Sequence, residues 1–237
     1  MKPFPDHRKT CAVLLLLLIG FAFYAIIAAQ GHARAVMGKE SEAVLILDPG
    51  HGGADGGAVS EEGLCESGIN LDIALRLREL CRLFGIRTLM TRESEELDYP
   101  PEADTIAKMK RWDTRERVRM INTCSHAILL SIHQNFYPSP QPRGPQLFYS
   151  DSLKAKTIAE SMQNYMTENL CPGNRRLAVT IPSGVYVLEH AECPAILCEC
   201  GFLSNREEAA ALADESYRKK ISVILLGAYL SAAEEQL

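Results

Sequence analysis

The sequence predicts an α/β protein: a single domain with a mixed, mostly parallel sheet flanked by helices, plus an N-terminal membrane segment. Two observations predict the domain. Short apolar runs that end in turn or polar residues alternate along the chain with longer segments whose apolar residues recur every three or four positions. A third observation predicts the membrane segment, because the stretch "CAVLLLLLIGFAFYAIIAA" at residues 11–29 contains no charged residue.

The N-terminal region divides into a cytoplasmic tail at 1–10, the apolar segment at 11–29 and a polar linker at 30–42. Basic residues lie in the tail, on the side expected to remain in the cytoplasm. The apolar segment is long enough to span the bilayer as an uncleaved anchor, but "ARA" at 33–35 also suits signal-peptide cleavage. Both alternatives remain open, and both place the domain at 43–237 outside the cytoplasm.

The strands are predicted from apolar runs bounded by glycine, proline or polar residues. They are, in chain order, "AVLILDPG" (43–50), "IRTLMT" (86–91), "HAILLSIHQN" (126–135), "GPQLFYS" (144–150), "GVYVLE" (184–189) and "PAILCEC" (194–200).

The helices are predicted from periodicity and from their end signals. The segment at 68–85 carries an apolar stripe and ends at Gly85. After a charged loop from Arg92 to about Lys110, Asp113 with Glu116 three residues later predicts the start of a second helix. Residues 152–170 and most of 206–235 complete the helices. The stripe of the first helix consists of Ile69, Ile73, Leu77, Leu80 and Phe84.

Charge and cysteine content narrow the function classes. The net charge of −5 disfavours nucleic-acid binding, which depends on clustered Lys and Arg. The eight cysteines lack the paired CxxC spacing of a structural zinc site, although Cys198 and Cys200 could share a metal. With Cys11 inside the apolar segment, seven remain, an odd number that cannot all pair within the chain. Free, buried thiols are therefore favoured over disulfides.

Three polar residues are expected at one edge of the sheet. His51 follows the first strand, His133 ends the third, and Glu199 lies near the end of the last. Ligands of open α/β sheets bind beyond the carboxyl ends of the strands, so this edge is the candidate site. The glycine-rich "LDPGHGGADGG" at 47–57 lacks the Lys-Ser/Thr of a phosphate-binding loop, and its glycines are expected to let the backbone turn sharply around an imidazole.

His51, Glu66 and His133 form a candidate zinc-ligand set. Two histidines and one glutamate are ligand types that hydrolytic zinc sites use while leaving a fourth position for water. Glu66 could alternatively serve only as a charged residue at a helix N-terminus. Glu199 stands in an apolar strand, where an unpaired carboxylate is costly, so it is predicted to be the catalytic base. Strand alternation then turns Cys198 and Cys200 to the opposite face.

Four separated motifs, "LDPGHGG", "ESGINLDIA", "SIHQN" and "CECGFLSN", resemble in this order the zinc-dependent N-acetylmuramoyl-L-alanine amidases of the type 3 class. The resemblance covers about residues 43–233 and includes "MTR" and "TRERVRMIN". It implies a zinc-peptidase-like α/β fold in the catalytic domain at 43–237. It also implies Zn²⁺ ligands at His51, Glu66 and His133 and a catalytic glutamate at Glu199. The spacing after "SIHQN" and the apolar segment most resemble the germination-specific spore-cortex amidases.

The resemblance implies hydrolysis of the amide between N-acetylmuramic acid and L-alanine in peptidoglycan, in cortex maturation (muramic-lactam formation) or in wall remodelling. Asn135, Arg175 and Arg176 are candidate substrate-binding residues, and the two arginines could pair with stem-peptide carboxylates. The implied partners are glycan strands with stem peptides, the membrane and possible activating proteins. The implied location is the outer face of the cytoplasmic membrane or the cell wall, or the spore intermembrane space.

Two alternatives stand beside the amidase interpretation. The same residues could serve a zinc peptidase or deacetylase that acts on another cell-wall amide. The fold could also belong to a non-catalytic wall-binding protein, for which Glu199→Gln would leave function unaltered. Members of the family usually carry an apolar residue beside the catalytic glutamate, whereas this chain has Cys198 and Cys200. No helical insertion of the kind that plugs the site in some relatives is expected after the third strand.

Overall fold

The computed structural model describes residues 43–234. The predicted tail, apolar segment and linker lie outside the described residues. Within 43–234, no helix is both long and apolar enough to cross a membrane. The described chain forms the predicted α/β domain.

Six strands form one mixed sheet. The strands are β1 (Val44–Pro49), β2 (Thr88–Met90), β3 (Ala127–Asn135), β4 (Gln146–Tyr149), β5 (Val179–Thr180) and β6 (Ala195–Phe202). Their order across the sheet is β2-β1-β3-β6-β4-β5. The pairs β2–β1, β1–β3, β3–β6 and β4–β5 are parallel, and β4–β6 is antiparallel. The sheet is therefore mixed and mostly parallel, as predicted.

Helices cover both faces of the sheet. They are α1 (Glu66–Leu83), α2 (Ile106–Ile121), α3 (Leu153–Asn169), α4 (Tyr186–His190), α5 (Arg206–Ala213) and α6 (Glu215–Glu234). A large apolar core lies between one face and α1, α3, α5 and α6, and a smaller one lies between the other face and α2 and α4. Both faces of the central strands are buried, which explains why these strands are nearly continuous apolar runs.

Apolar periodicity located α1 correctly, and it buries Ile69, Ile73 and Leu77. Leu80 packs against the large core as a partly buried residue. Phe84 follows the last helical residue and is 50% exposed, so it does not belong to the buried stripe. Gly85 has a φ of 71°, a left-handed conformation that ends the helix as predicted.

The predicted start of α2 at Asp113 is wrong. The helix begins at Ile106, and the Thr105 hydroxyl caps it by accepting a hydrogen bond from the Lys108 amide at 3.3 Å. The predicted loop from Arg92 to Lys110 was correspondingly too long. The first turns of α2 bury almost no apolar surface, so periodicity could not detect them.

The predicted strand "GVYVLE" is also wrong, because Tyr186–His190 form the short helix α4. Valine and tyrosine favour strands in general. Here the His190 ring stacks on Tyr186 at 4.0 Å between centroids, and Val187 and Leu188 enter the smaller core together. The fifth strand is instead the exposed pair Val179–Thr180, too short and polar to carry a strand pattern.

All seven described cysteines are free thiols. Cys81, Cys198 and Cys200 are buried, as predicted, whereas Cys124, Cys171 and Cys193 are only partly buried and Cys65 is exposed. Cys198 and Cys200 both join the large core, with their sulfur atoms 3.8 Å apart. Strand alternation therefore places them behind the sheet, away from Glu199.

Candidate active site

The predicted ligands come together from three separate parts of the chain. His51 follows the end of β1, Glu66 is the first residue of α1, and His133 lies near the end of β3. Their ligand atoms all lie within 4.8 Å of one another. The two imidazole rings meet edge to face with centroids 5.1 Å apart. The predicted grouping of His51, Glu66 and His133 is thus a feature of the structure.

Glu66 is the centre of this group. Its Oε1 atom lies 2.9 Å from His133 Nδ1 and accepts a hydrogen bond from the Gln134 amide, and its Oε2 atom lies 3.3 Å from His51 Nε2. Burial alone would raise the pKa of Glu66, but the contacts with His133 and His51 and the amide of Ala58 lower it to about 2. Glu66 is therefore an anion whose two carboxylate oxygens each contact an imidazole. A residue that only stabilised the helix N-terminus would not need these contacts.

Glycines allow the backbone to approach the ligands closely. A Cβ atom on Gly50 would lie 2.2 Å from the His133 ring. A Cβ atom on Gly57 would lie 2.5 Å from Glu66 Oε2 and 2.8 Å from His51 Cδ2. The space that these side chains would fill is the space in which the two histidines and the glutamate meet. This confirms that the glycines of "LDPGHGGADGG" serve the imidazole site.

His51 is held in an uncommon conformation. Its φ is 60°, in the left-handed region that non-glycine residues rarely adopt. The Asp55 carboxylate lies 2.9 Å from His51 Nδ1, and Lys110 Nζ lies 2.8 Å from the same oxygen. The hydrogen bond from His51 and that from Lys110 outweigh partial burial and hold the pKa of Asp55 well below its usual range. Asp55 thus fixes the ring so that Nε2 faces Glu66.

Two buried arginines, Arg92 and Arg117, hold the backbone beneath His51 in place. Neither was predicted from the sequence to be a site residue. Arg92 donates to the carbonyls of Pro49 and Gly50 at 3.0 and 3.1 Å. Arg117 donates to the carbonyls of Pro49 and His51 at 2.7 and 2.6 Å. Their guanidinium groups fix the chain that leads from β1 into the site. The motifs "MTR" and "TRERVRMIN" contained the signal, but only as part of a family resemblance.

Arg117 also forms a buried ion pair with Asp48, with Nη1 2.8 Å from Oδ1. Ser131 and Thr91 donate hydrogen bonds to the same carboxylate at 2.6 Å each. Burial opposes ionisation of Asp48, but the Arg117 charge and these hydrogen bonds lower its pKa to about 2. This network joins β1, β3, α2 and the Thr91 loop directly below the ligand group.

Glu199 lies on β6 beside His133, with which it is paired in register across the parallel strands. Its Oε2 atom is buried and has no hydrogen-bond partner among the described residues. Burial, together with the negative charge of Glu66, raises the pKa of Glu199 to about 8, and His51 offsets this only in part. The Glu199 carboxyl group thus has a free oxygen and a raised pKa, and such a group can accept a proton and return it.

The donor set fits a divalent cation. It offers two imidazole nitrogens and one carboxylate, which matches catalytic zinc sites with three protein ligands and an open position. The Asp55–His51 pair supplies the carboxylate support that metal-bound histidines commonly have. The unpartnered Glu199 Oε2 lies on the strand next to His133, where a water in the open position would need a base.

The three candidate substrate-binding residues differ in position. Asn135 ends β3, two residues beyond His133, and its carbonyl accepts a hydrogen bond from Leu203. Arg175 is exposed. Arg176 is half-buried, donates to Gln146 Oε1 at 3.0 Å and lies 4.8 Å above the Phe202 ring. Arg176 is therefore the more firmly placed of the two arginines.

The fold and the grouping of His51, Glu66 and His133 together are those of a metal-dependent hydrolase. Comparison with known proteins gives the family. Residues 45–228 match the family model described as N-acetylmuramoyl-L-alanine amidase (Amidase_3). The chain belongs to this family of metal-dependent peptidoglycan amidases, as its motifs predicted.

Two relatives support the assignment. The chain is 36% identical over 180 residues to the germination-specific N-acetylmuramoyl-L-alanine amidase of Bacillus subtilis, covering 76% of this chain and 75% of that protein. The CwlD amidase of Clostridioides difficile, solved in complex with the GerS lipoprotein, is 30% identical with a TM-score of 0.75. That comparison covers 81% of this chain and 97% of the CwlD chain.

A more distant solved structure agrees in fold. AmiC2 of Nostoc punctiforme is 24% identical with a TM-score of 0.69, over 81% of this chain and 98% of that chain.

In the present chain, residues 136–145 connect β3 to β4 without a helix, so the expectation of no helical insertion there is met.

Proposed function

We propose that this amidase works with Zn²⁺ held by His51, Glu66 and His133, and with Glu199 as the catalytic group that moves the proton. The observation that carries the proposal is the free, buried Oε2 atom of Glu199 on the strand beside His133. Zn²⁺ in this site would supply a Lewis acid that brings the pKa of a water to about 7 and polarises the scissile carbonyl.

The chain's own residues then account for the proton transfers. Glu199 accepts a proton from the attacking water at its free carboxyl oxygen. It returns this proton to the alanine nitrogen as the bond between the lactyl carbonyl and that nitrogen breaks. His51 and His133 stay fixed, His51 by Asp55 and His133 by Glu66.

The biological setting we propose is the spore cortex. The supporting comparison is the identity of 36% to an amidase named for germination, together with the likeness to CwlD. Removal of stem peptides from muramic acid would leave free lactyl carboxylates, the starting point for muramic-lactam formation. A membrane-anchored or exported enzyme in the spore intermembrane space would meet this substrate, and an activating partner protein is part of the proposal because CwlD was solved with GerS.

Digestion of purified cortex peptidoglycan tests the proposal. Wild type with Zn²⁺ is expected to release both new L-alanine amino termini and peptide-free muramic acid, because cleavage of this amide creates one of each. Glu199→Gln is expected to release neither. A zinc peptidase or deacetylase acting on another wall amide would produce other termini, and a wall-binding protein would produce none with either variant.

A further inference from the structure

A polar row continues across the sheet from the candidate metal site. His133 on β3 is paired with Glu199 on β6, and Glu199 is paired with Gln146 on the antiparallel strand β4. Residues directly opposite one another on neighbouring strands share a face and lie about 5 Å apart at Cβ. Gln146 therefore stands beside Glu199, on the side away from His133.

Arg176 extends this row. Its Nη1 atom donates to Gln146 Oε1 at 3.0 Å, and its guanidinium lies 4.8 Å from the centroid of the Phe202 ring. No carboxylate of residues 43–234 forms an ion pair with Arg176. Its position is nonetheless fixed, because Asn174 accepts a hydrogen bond from the Arg176 amide at 3.1 Å and donates one to the Pro145 carbonyl at 2.7 Å.

A cavity of about 420 Å³ opens beside Arg176. Arg143 and Arg175 also line it, and no aspartate or glutamate does. Arg143 pairs with Glu207 Oε2 at 3.7 Å, so Arg175 and Arg176 carry the positive charge of the cavity that no ion pair within residues 43–234 neutralises. Guanidinium groups match carboxylates in geometry and form charge-assisted hydrogen bonds with them. The chemistry of the cavity selects an anionic group with planar oxygens.

We propose that Arg176, oriented by Gln146 and Phe202, is a specificity-determining residue that binds a free carboxylate of the stem peptide. The proposal rests on the proposed amidase function. The muramic acid carboxyl is consumed in the scissile amide, so a free carboxylate must come from the peptide side of that bond. The row therefore assigns the peptide to the β6–β4 side of the site, with Arg176 reaching a carboxylate within the two residues that follow alanine.

The distance along the row supports this placement. Gln146 lies about 5 Å from Glu199, and Arg176 is one hydrogen bond further. An extended peptide advances about 3.3–3.6 Å per residue, so alanine and the one or two residues that follow it span this separation of about 8 Å. The Asn174 contacts hold the wall of the cavity in place. We therefore expect the cavity to discriminate between ligands rather than change its shape to fit them.

A matched substrate pair tests the inference. Both substrates are N-acetylmuramoyl tripeptides that begin with L-alanine, and they differ only in whether all peptide carboxylates are free or converted to carboxamides. We expect wild-type enzyme with Zn²⁺ to favour the free acid about 10- to 100-fold in kcat/KM, the range of a charge-assisted hydrogen bond. Arg176→Gln should lower kcat/KM strongly on the acid and much less on the carboxamide, so that the ratio approaches one.

Two further variants separate charge from geometry. Arg176→Lys keeps the charge but loses the planar fork, and its ratio should lie between those of wild type and Arg176→Gln. Arg82→Gln removes one positive charge from the exposed last turn of α1, at the opposite end of that helix from Glu66, and should leave the ratio at its wild-type value.

The outcomes are distinguishable. A wild-type ratio near one would overturn the assignment, as would an equal loss on both substrates in Arg176→Gln, which would indicate a structural role only. If wild type released peptide from neither substrate, nor from intact peptidoglycan, the proposed function itself would fail, and this inference with it.

Discussion

His133 and Glu199 occupy partnered positions on the neighbouring parallel strands β3 and β6, although 66 residues separate them along the chain. The register of these two strands therefore decides whether a proton acceptor stands beside the metal-ligand group. Immediately beyond this pair the register shifts, since Asn135 is partnered with Phe202. Such an irregularity bends the strand locally and changes the direction of the side chains next to a site.

Gly57→Ala should strongly weaken metal binding for steric reasons. Its Cβ atom would overlap Glu66 and His51 at 2.5 and 2.8 Å, and the φ of 71° adds backbone strain. We expect zinc affinity, measured by competition with a chelator, to fall about a hundredfold, the upper end of the loss when the support of a metal ligand is disturbed. Gly63→Ala is the matched control, because Gly63 also has a positive φ of 86° but a Cβ atom there would meet nothing within 4 Å. Equal zinc affinity in the two variants would contradict this explanation.

Asp55→Asn should weaken zinc binding about 10- to 100-fold, the usual cost of losing the carboxylate behind a metal-bound histidine. The amide cannot replace the charge that Asp55 shares between His51 and Lys110. Isothermal titration of the metal-free protein measures the change. Asp104→Asn, which removes an exposed carboxylate paired with Lys108, should bind zinc as wild type does. An unaltered affinity in Asp55→Asn would show that His51 needs no such support.

Arg117→Met should destabilise the domain by about 3–5 kcal/mol, because it leaves Asp48 buried without its partner. The carbonyls of Pro49 and His51 would also lose a donor. Urea denaturation of the metal-free protein gives the free energy of unfolding. Arg119→Met, which removes an exposed arginine from the same helix, should change the midpoint little. Similar effects of the two substitutions would contradict the role assigned to Arg117.

The decrease in the free energy of unfolding at acid pH should depend on Asp48. Its pKa is about 2 in the folded protein, against an ordinary value of 3.8. The stabilisation from the ionised form is therefore complete above about pH 4 and is lost as the pH falls from about 4 to about 2, a change of about 2 kcal/mol. In Asp48→Asn the free energy of unfolding should fall less over this range. Parallel pH profiles of the two metal-free proteins would contradict the assignment.

The sequence predicted the parts of the fold and site that depend on local patterns. The apolar strands and the helix stripe located β1, β3, β6 and α1, and the ends of those strands pointed to His51 and His133. Glycine density around His51 predicted the close backbone approach that Gly50 and Gly57 provide. These features are encoded within a few residues of where they act.

Features that depend on distant contacts were missed. Arg117 pairs with Asp48 across 69 residues, and an arginine in a charged helix looks like a solvated surface residue in sequence. The segment at 184–189 has strand propensity, yet the packing of Val187 and Leu188 into the smaller core makes it helical. The role of Gln146 follows only from the β4–β6 register.

The central claim is most directly tested by measuring bound zinc and peptidoglycan hydrolysis together in wild type, His133→Ala and Glu199→Gln. Wild type should bind one zinc per chain and release peptides. His133→Ala should lose both zinc and hydrolysis, whereas Glu199→Gln should keep zinc and lose about 100- to 10,000-fold in turnover, the usual contribution of a general base. A folded, zinc-free His133→Ala that still releases peptides, or a Glu199→Gln variant of wild-type activity, would contradict the account.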